Sequence, residues 1–212
     1  MIKKDYFVKP LSGSGKGVLV LHAWWGLNAF MQGFCDRLAG EGFTVLAPDL
    51  YHGAIANTIP EAEKLRSKLK RQVASQAIQQ AAERLHLETG EGQEGIGVVG
   101  FSLGGYWALW LAEQPASAVL ATVVFYGTRS GDYRESRSAF QVHLAESDPY
   151  VSASGVKALH KCLKAAGRTA EFHSYPGTSH WFFEDDRTDA YQNEAADLAW
   201  KRTHEFLQGS LK

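Results

Sequence analysis

The segment Val98-Val99-Gly100-Phe101-Ser102-Leu103-Gly104-Gly105-Tyr106-Trp107-Ala108-Leu109-Trp110-Leu111-Ala112 decides the reading of this chain. Ile96 to Val99 is a short β-prone run and Tyr106 to Ala112 a helix-length apolar run, so the segment reads as strand, sharp turn and helix with Ser102 at the apex. A serine at such an apex holds a strained backbone, and side chains two positions away on either side would collide; Gly100 and Gly104 remove those collisions. The helix that starts behind the serine aims N–H groups and its positive dipole end at the same spot, which stabilises negative charge developing there. The Gly-x-Ser-x-Gly spacing is common by chance, and its weight comes from this context. Ser102 is therefore the candidate nucleophile.

Outward from this centre, strands and helices alternate along the whole chain. Val18 to Leu21, Phe43 to Ala47, Val119 to Tyr126, Phe140 to Ala145 and Thr169 to Tyr175 read as strands, with Tyr6 to Val8 a short first one. Val18 to Leu21 has no polar alternation and reads as a central strand buried on both faces. Helical spacing runs through Ala29 to Gly40 with Asn28 as N-cap, through Ala153 to Ala166 closed by Gly167, and from Asp189 to Leu207. A single long helix is expected from Pro60, with Ala62, Leu65, Leu69, Val73, Ala77, Ala81 and Leu85 on its apolar face. Its opposite face, with Lys64, Arg66, Lys68, Lys70 and Arg71, reads as solvated. The pattern predicts one α/β domain over residues 1–212, a mostly parallel sheet covered by helices on both faces, without a large cap domain.

At 212 residues and 45% hydrophobic, the chain suffices for one sizeable core. A formal net charge of -1 carries no footprint for nucleic acid or an anionic membrane. Cys35 and Cys162 fall in helical patterns without metal-ligand spacing and read as buried, reduced thiols. The first residues lack a secretory apolar stretch and no apolar run reaches the length of a membrane span, so a soluble cytoplasmic protein is expected. The run Ser12-Gly13-Ser14-Gly15-Lys16-Gly17 is loop chemistry; a phosphate-binding loop would open a helix, whereas this one leads into a strand. The histidines, His22 and His52 included, lack paired ligand spacing, so no metal site and no cofactor are expected.

Ligands of parallel sheets bind outside the carboxyl ends of the strands. Ser102, Asp148 and His180 all fall at such ends, in the order nucleophile, acid, histidine of the α/β-hydrolase arrangement. A histidine held by a carboxylate removes the serine proton near neutral pH. Glu146 and Asp132 compete for the acid position, and the loop placement before Pro149 favours Asp148. Leu103, after the serine, offers one backbone N–H for an oxyanion hole, and Trp24, in the loop after Val18 to Leu21, is the candidate for the other. Trp25, Trp107, Tyr126, Tyr150 and Trp181 lie near strand ends, where aromatics serve either a pocket or the core.

The string His22-Ala23-Trp24-Trp25-Gly26-Leu27-Asn28-Ala29-Phe30-Met31, with Ala47-Pro48-Asp49-Leu50-Tyr51, Gly100 to Gly105, Phe125-Tyr126-Gly127, Asp148 and Gly177-Thr178-Ser179-His180, resembles the dienelactone hydrolase family over nearly the whole chain. The resemblance implies an α/β-hydrolase fold, a triad of Ser102, Asp148 and His180, and an oxyanion hole from Trp24 and Leu103. Two departures accompany it. Ser102 stands where members that open dienelactones have cysteine, and Ala23 where they have a glutamate, two changes consistent with each other because serine needs no preformed anion. The family's substrate-holding arginine after the histidine is replaced by Trp181-Phe182-Phe183-Glu184. These features favour a serine hydrolase of neutral esters or lactones with an apolar part. The rivals are a dienelactone-type hydrolase of anionic cyclic esters, a thioesterase or peptidase on the same site, and a non-catalytic binding protein with this pocket.

Overall fold

A computed structural model describes residues 5–89 and 94–211. Its centre is a seven-stranded sheet of β1 (Tyr6–Val8), β2 (Gly17–Leu21), β3 (Thr44–Ala47), β4 (Ile96–Phe101), β5 (Val119–Phe125), β6 (Ala139–Ser147) and β7 (Ala170–Ser179). The spatial order is β1-β3-β2-β4-β5-β6-β7. Only β1, at one edge, runs antiparallel; the other neighbours pair in parallel. Every residue of β2 and β4 is buried, as expected of strands covered on both faces.

Among the described residues six helices cover the sheet: α1 (Ala29–Gly40), α2 (Ile59–Lys68), α3 (Arg71–Glu88), α4 (Leu103–Glu113), α5 (Ala153–Ala165) and α6 (Asn193–Ser210). Successive side chains of a strand point to opposite faces, so β2 feeds two cores. Val18 and Val20 pack with α1 and α6 around Phe34, Phe101, Phe125 and Trp200. Leu19 and Leu21 pack with α3, α4 and α5 around Ile78, Leu109, Phe140 and Leu159. Asn28 caps α1 as its spacing predicts, its side chain accepting from Met31 N at 3.0 Å.

The long helix expected from Pro60 is two helices. Leu69 and Lys70 are extended and separate α2 from α3. The apolar face of α3 is Ala74, Ile78, Ala81 and Leu85, while Val73 is exposed. A constant spacing of four drifts off one face of a 3.6-residue helix, and the break resets the phase. The start of α2 has a complete capping box, Thr58 with Glu61, with Pro60 in its first turn. Of the two thiols, Cys35 is buried in α1 and Cys162 half-buried in α5; both are free. Among the described residues no helix is long and apolar enough to cross a membrane.

Candidate active site

The elbow between β4 and α4 has the geometry its glycines predict. Ser102 sits at φ 52° and ψ −107°, a region that side chains rarely enter. A Cβ on Gly100 would lie 2.2 Å from the Gly104 carbonyl oxygen, and one on Gly104 would lie 2.0 Å from the Leu21 carbonyl oxygen. The backbone is held by Ser102 N donating to Phe125 O at 2.9 Å, across to β5.

Asp148 follows the end of β6. Its Oδ1 accepts from the backbone N–H of Tyr150 (2.8 Å) and Val151 (3.0 Å), which fixes the carboxylate. His180 follows the end of β7. Its Nδ1 lies 2.7 Å from Asp148 Oδ2 and its Nε2 lies 2.9 Å from Ser102 Oγ. The carboxylate accepts at Nδ1, so Nε2 is the atom left to accept the Ser102 proton. Imidazole and carboxylate are almost sealed, with side-chain exposures of 2% and 7%. The rival acids are engaged elsewhere: Glu146 Oε2 accepts from Gly177 N at 2.8 Å, bracing the turn in β7, and Asp132 pairs with Arg134.

These groups open onto a cavity of about 260 Å³ lined by Trp24, Arg66, Ser102, Leu103, Tyr106, Tyr126, Gly127, Thr128, Tyr150, Val151 and His180. Among the described residues, the backbone N–H groups of Trp24 and Leu103 have no acceptor. Of the five candidate aromatics, Tyr126 and Tyr150 line the cavity, with ring centroids 4.8 and 4.9 Å from that of His180. Trp25 and Trp181 pack behind Trp24, and Trp107 turns into the core beneath α4; none of the three is at the cavity wall.

Two features escape sequence reasoning. Arg66 is exposed on the face of α2 read as solvated and also borders the cavity; the charge pattern holds no cue to which cation does so. Glu184, four residues after His180, is fully buried, and its Oε1 accepts from the Tyr126 hydroxyl at 2.6 Å. Burial raises its pKa to about 8. Its signal in the sequence is a carboxylate directly after three aromatics. Among the described residues no cluster of three or more His, Cys, Asp or Glu side chains is arranged to hold a metal.

A sheet of this order, with a serine at a strand-to-helix elbow outside its carboxyl edge, defines the α/β-hydrolase class. Within that class the chain matches the model of the dienelactone hydrolase family over residues 4–211, and it belongs to that family. It is 31% identical over 219 residues to a candidate carboxymethylenebutenolidase of Aquifex aeolicus, covering 99% of this chain and 94% of the relative. It is also 31% identical over 217 residues to the protein usf of Aquifex pyrophilus, covering 98% and 94%. The fold is shared with a candidate dienelactone hydrolase from Klebsiella pneumoniae, at a TM-score of 0.83, 24% identity and coverage of 96% and 92%. The protein is thus a hydrolase acting on ester bonds.

Proposed function

We propose that the chain cleaves carboxylic esters or lactones through an acyl-enzyme on Ser102. The observation that carries this reading is the unbroken relay from Asp148 Oδ2 to His180 Nδ1 (2.7 Å) and from His180 Nε2 to Ser102 Oγ (2.9 Å). As Oγ attacks the carbonyl carbon, His180 Nε2 takes its proton, and Asp148 stabilises the imidazolium that forms. The carbonyl oxygen gains charge and is met by the backbone N–H groups of Trp24 and Leu103. His180 then gives its proton to the leaving alkoxide; water, deprotonated by the same nitrogen, attacks the acyl carbon and releases the acid.

The test is a fluorophosphonate probe added to the wild type and to Ser102→Ala, read by intact mass. A single adduct on the wild type and none on the variant is expected. A folded wild type that takes no adduct refutes the acyl-enzyme on Ser102.

Arg66 at the cavity wall favours a second reading, in which the ester or lactone carries a carboxylate. The name of the Aquifex aeolicus relative points to such a substrate for that protein. The residue four after the histidine, Glu184, supplies no cation here. Faster turnover of an anionic enol lactone than of neutral esters of similar size selects this reading.

A further inference from the structure

His22 is completely buried directly after β2, at the head of the loop that carries Trp24. Its ring makes two hydrogen bonds. Nε2 lies 3.2 Å from the backbone N of Leu50, and Nδ1 lies 2.6 Å from the carbonyl oxygen of Ala23. An amide N–H only donates, so Nε2 carries no proton; a carbonyl oxygen only accepts, so Nδ1 carries one. A single neutral tautomer satisfies both partners. The imidazolium does not, because its Nε2–H would face the Leu50 N–H, and burial disfavours that cation as well.

The Ala23 carbonyl and the Trp24 N–H are the two ends of one planar trans peptide and point in opposite directions. Whatever holds the carbonyl aims the N–H. Gly26 N also reaches the Ala23 oxygen, at a longer 3.2 Å. That turn bond does not depend on the side chain at position 22. We propose that His22 is a positioning residue for the oxyanion hole: its Nδ1–H holds the Ala23–Trp24 peptide so that the Trp24 N–H faces the cavity. The inference rests on Trp24 acting as an oxyanion donor, as proposed above. A flipped peptide would present the Ala23 oxygen to the developing negative charge and replace attraction by repulsion.

The test compares His22→Asn and His22→Gln. The asparagine amide nitrogen falls near the place of Nδ1 and keeps the donor to Ala23; the glutamine amide extends toward Leu50 and leaves the carbonyl with the Gly26 bond alone. His22→Asn is expected to keep kcat within about fivefold of wild type and His22→Gln to lose about 10–100-fold in kcat with KM little changed, a part of what deleting an oxyanion donor costs. Affinity for a boronic acid that mimics the tetrahedral adduct should fall with kcat. Wild-type kcat in His22→Gln, or equal losses in both variants accompanied by equal falls in Tm, overturns the proposal. Nitrogen-15 NMR of the unaltered protein at pH 7 provides a check independent of folding: a neutral Nδ1–H tautomer is expected for His22, and an Nε2–H tautomer overturns the inference. Fluorophosphonate labelling of the wild type separates the two levels. An adduct together with unperturbed kcat in His22→Gln sinks the His22 role alone, whereas no adduct sinks the Ser102 acyl-enzyme reading and this inference with it.

Discussion

Replacing Glu184 by glutamine should make the protein more stable at neutral pH and leave the variant's relative stability lower in acid. Glu184 is wholly buried, its Oε1 accepts from Tyr126, and its Oε2 has no partner among the described residues. Burial raises its pKa from 4.5 to about 8; the Tyr126 hydroxyl opposes that rise, Asp186 adds to it and Arg187 opposes it. Between those two pH values the folded chain holds a proton that the unfolded chain releases, so stability is full below the lower value and is lost as pH climbs toward the upper. Each pH unit crossed costs about 1.4 kcal/mol, so about 3 kcal/mol is gone by pH 7. Glu184→Gln stays neutral throughout and keeps an oxygen for the Tyr126 hydroxyl. The assay is urea unfolding of both proteins from pH 4.5 to 8, with free energies from midpoints and slopes. Any constant offset reports the fit of the amide; the prediction is that the variant gains about 3 kcal/mol over wild type as pH rises from 4.5 to 7. His22 and His143, buried with lowered pKa values, lose stability in the opposite direction as pH falls, and both contributions cancel in the difference. A difference that is flat with pH, or that shrinks as pH rises, refutes the assignment of a protonated carboxyl to this site.

Three further outcomes test other parts of the structure. Asp148→Asn should lower kcat by about 10³–10⁴-fold with KM nearly unchanged, because the amide leaves His180 in the wrong tautomer; steady-state kinetics on any turned-over ester reads it. Gly104→Ala should fail to give folded protein, since its Cβ would sit 2.0 Å from a backbone oxygen, whereas Gly33→Ala in α1 meets nothing within 4 Å and should raise Tm slightly. Arg66→Met should cut kcat/KM at least about tenfold for a carboxylate-bearing lactone and leave neutral esters within about twofold, if the anionic reading holds.

Much of the fold was legible because its signals are local. Buried parallel strands appear as unbroken apolar runs, and Gly100 and Gly104 mark the elbow whose collisions they prevent. The order of Ser102, Asp148 and His180 at strand ends was equally readable, and their side chains lie within hydrogen-bond reach of one another. What stayed hidden depends on rotation and depth. The break at Leu69 and Lys70 carries neither glycine nor proline, so nothing in the pattern stops one helix from continuing into the next. Trp107 and Tyr106 are neighbours on α4, yet only Tyr106 faces the cavity; composition near a strand end does not distinguish them. Glu184 looks like a surface charge because the sequence records its charge and not what covers it, and Arg66, which is exposed, gives no sign in the pattern that it borders the cavity.

The close seat of Gly104 against the end of β2 has an evolutionary consequence. The nucleophile and the loop that launches Trp24 are mounted on one block with no room for a side chain, while the side chains of Arg66, Tyr150 and Val151 only furnish walls to the cavity. Substrate range can then diversify without disturbing the chemistry. A library randomised at Arg66, Tyr150 and Val151 should yield mostly folded members with altered preferences, and one randomised at residues 100 and 104 should yield almost none.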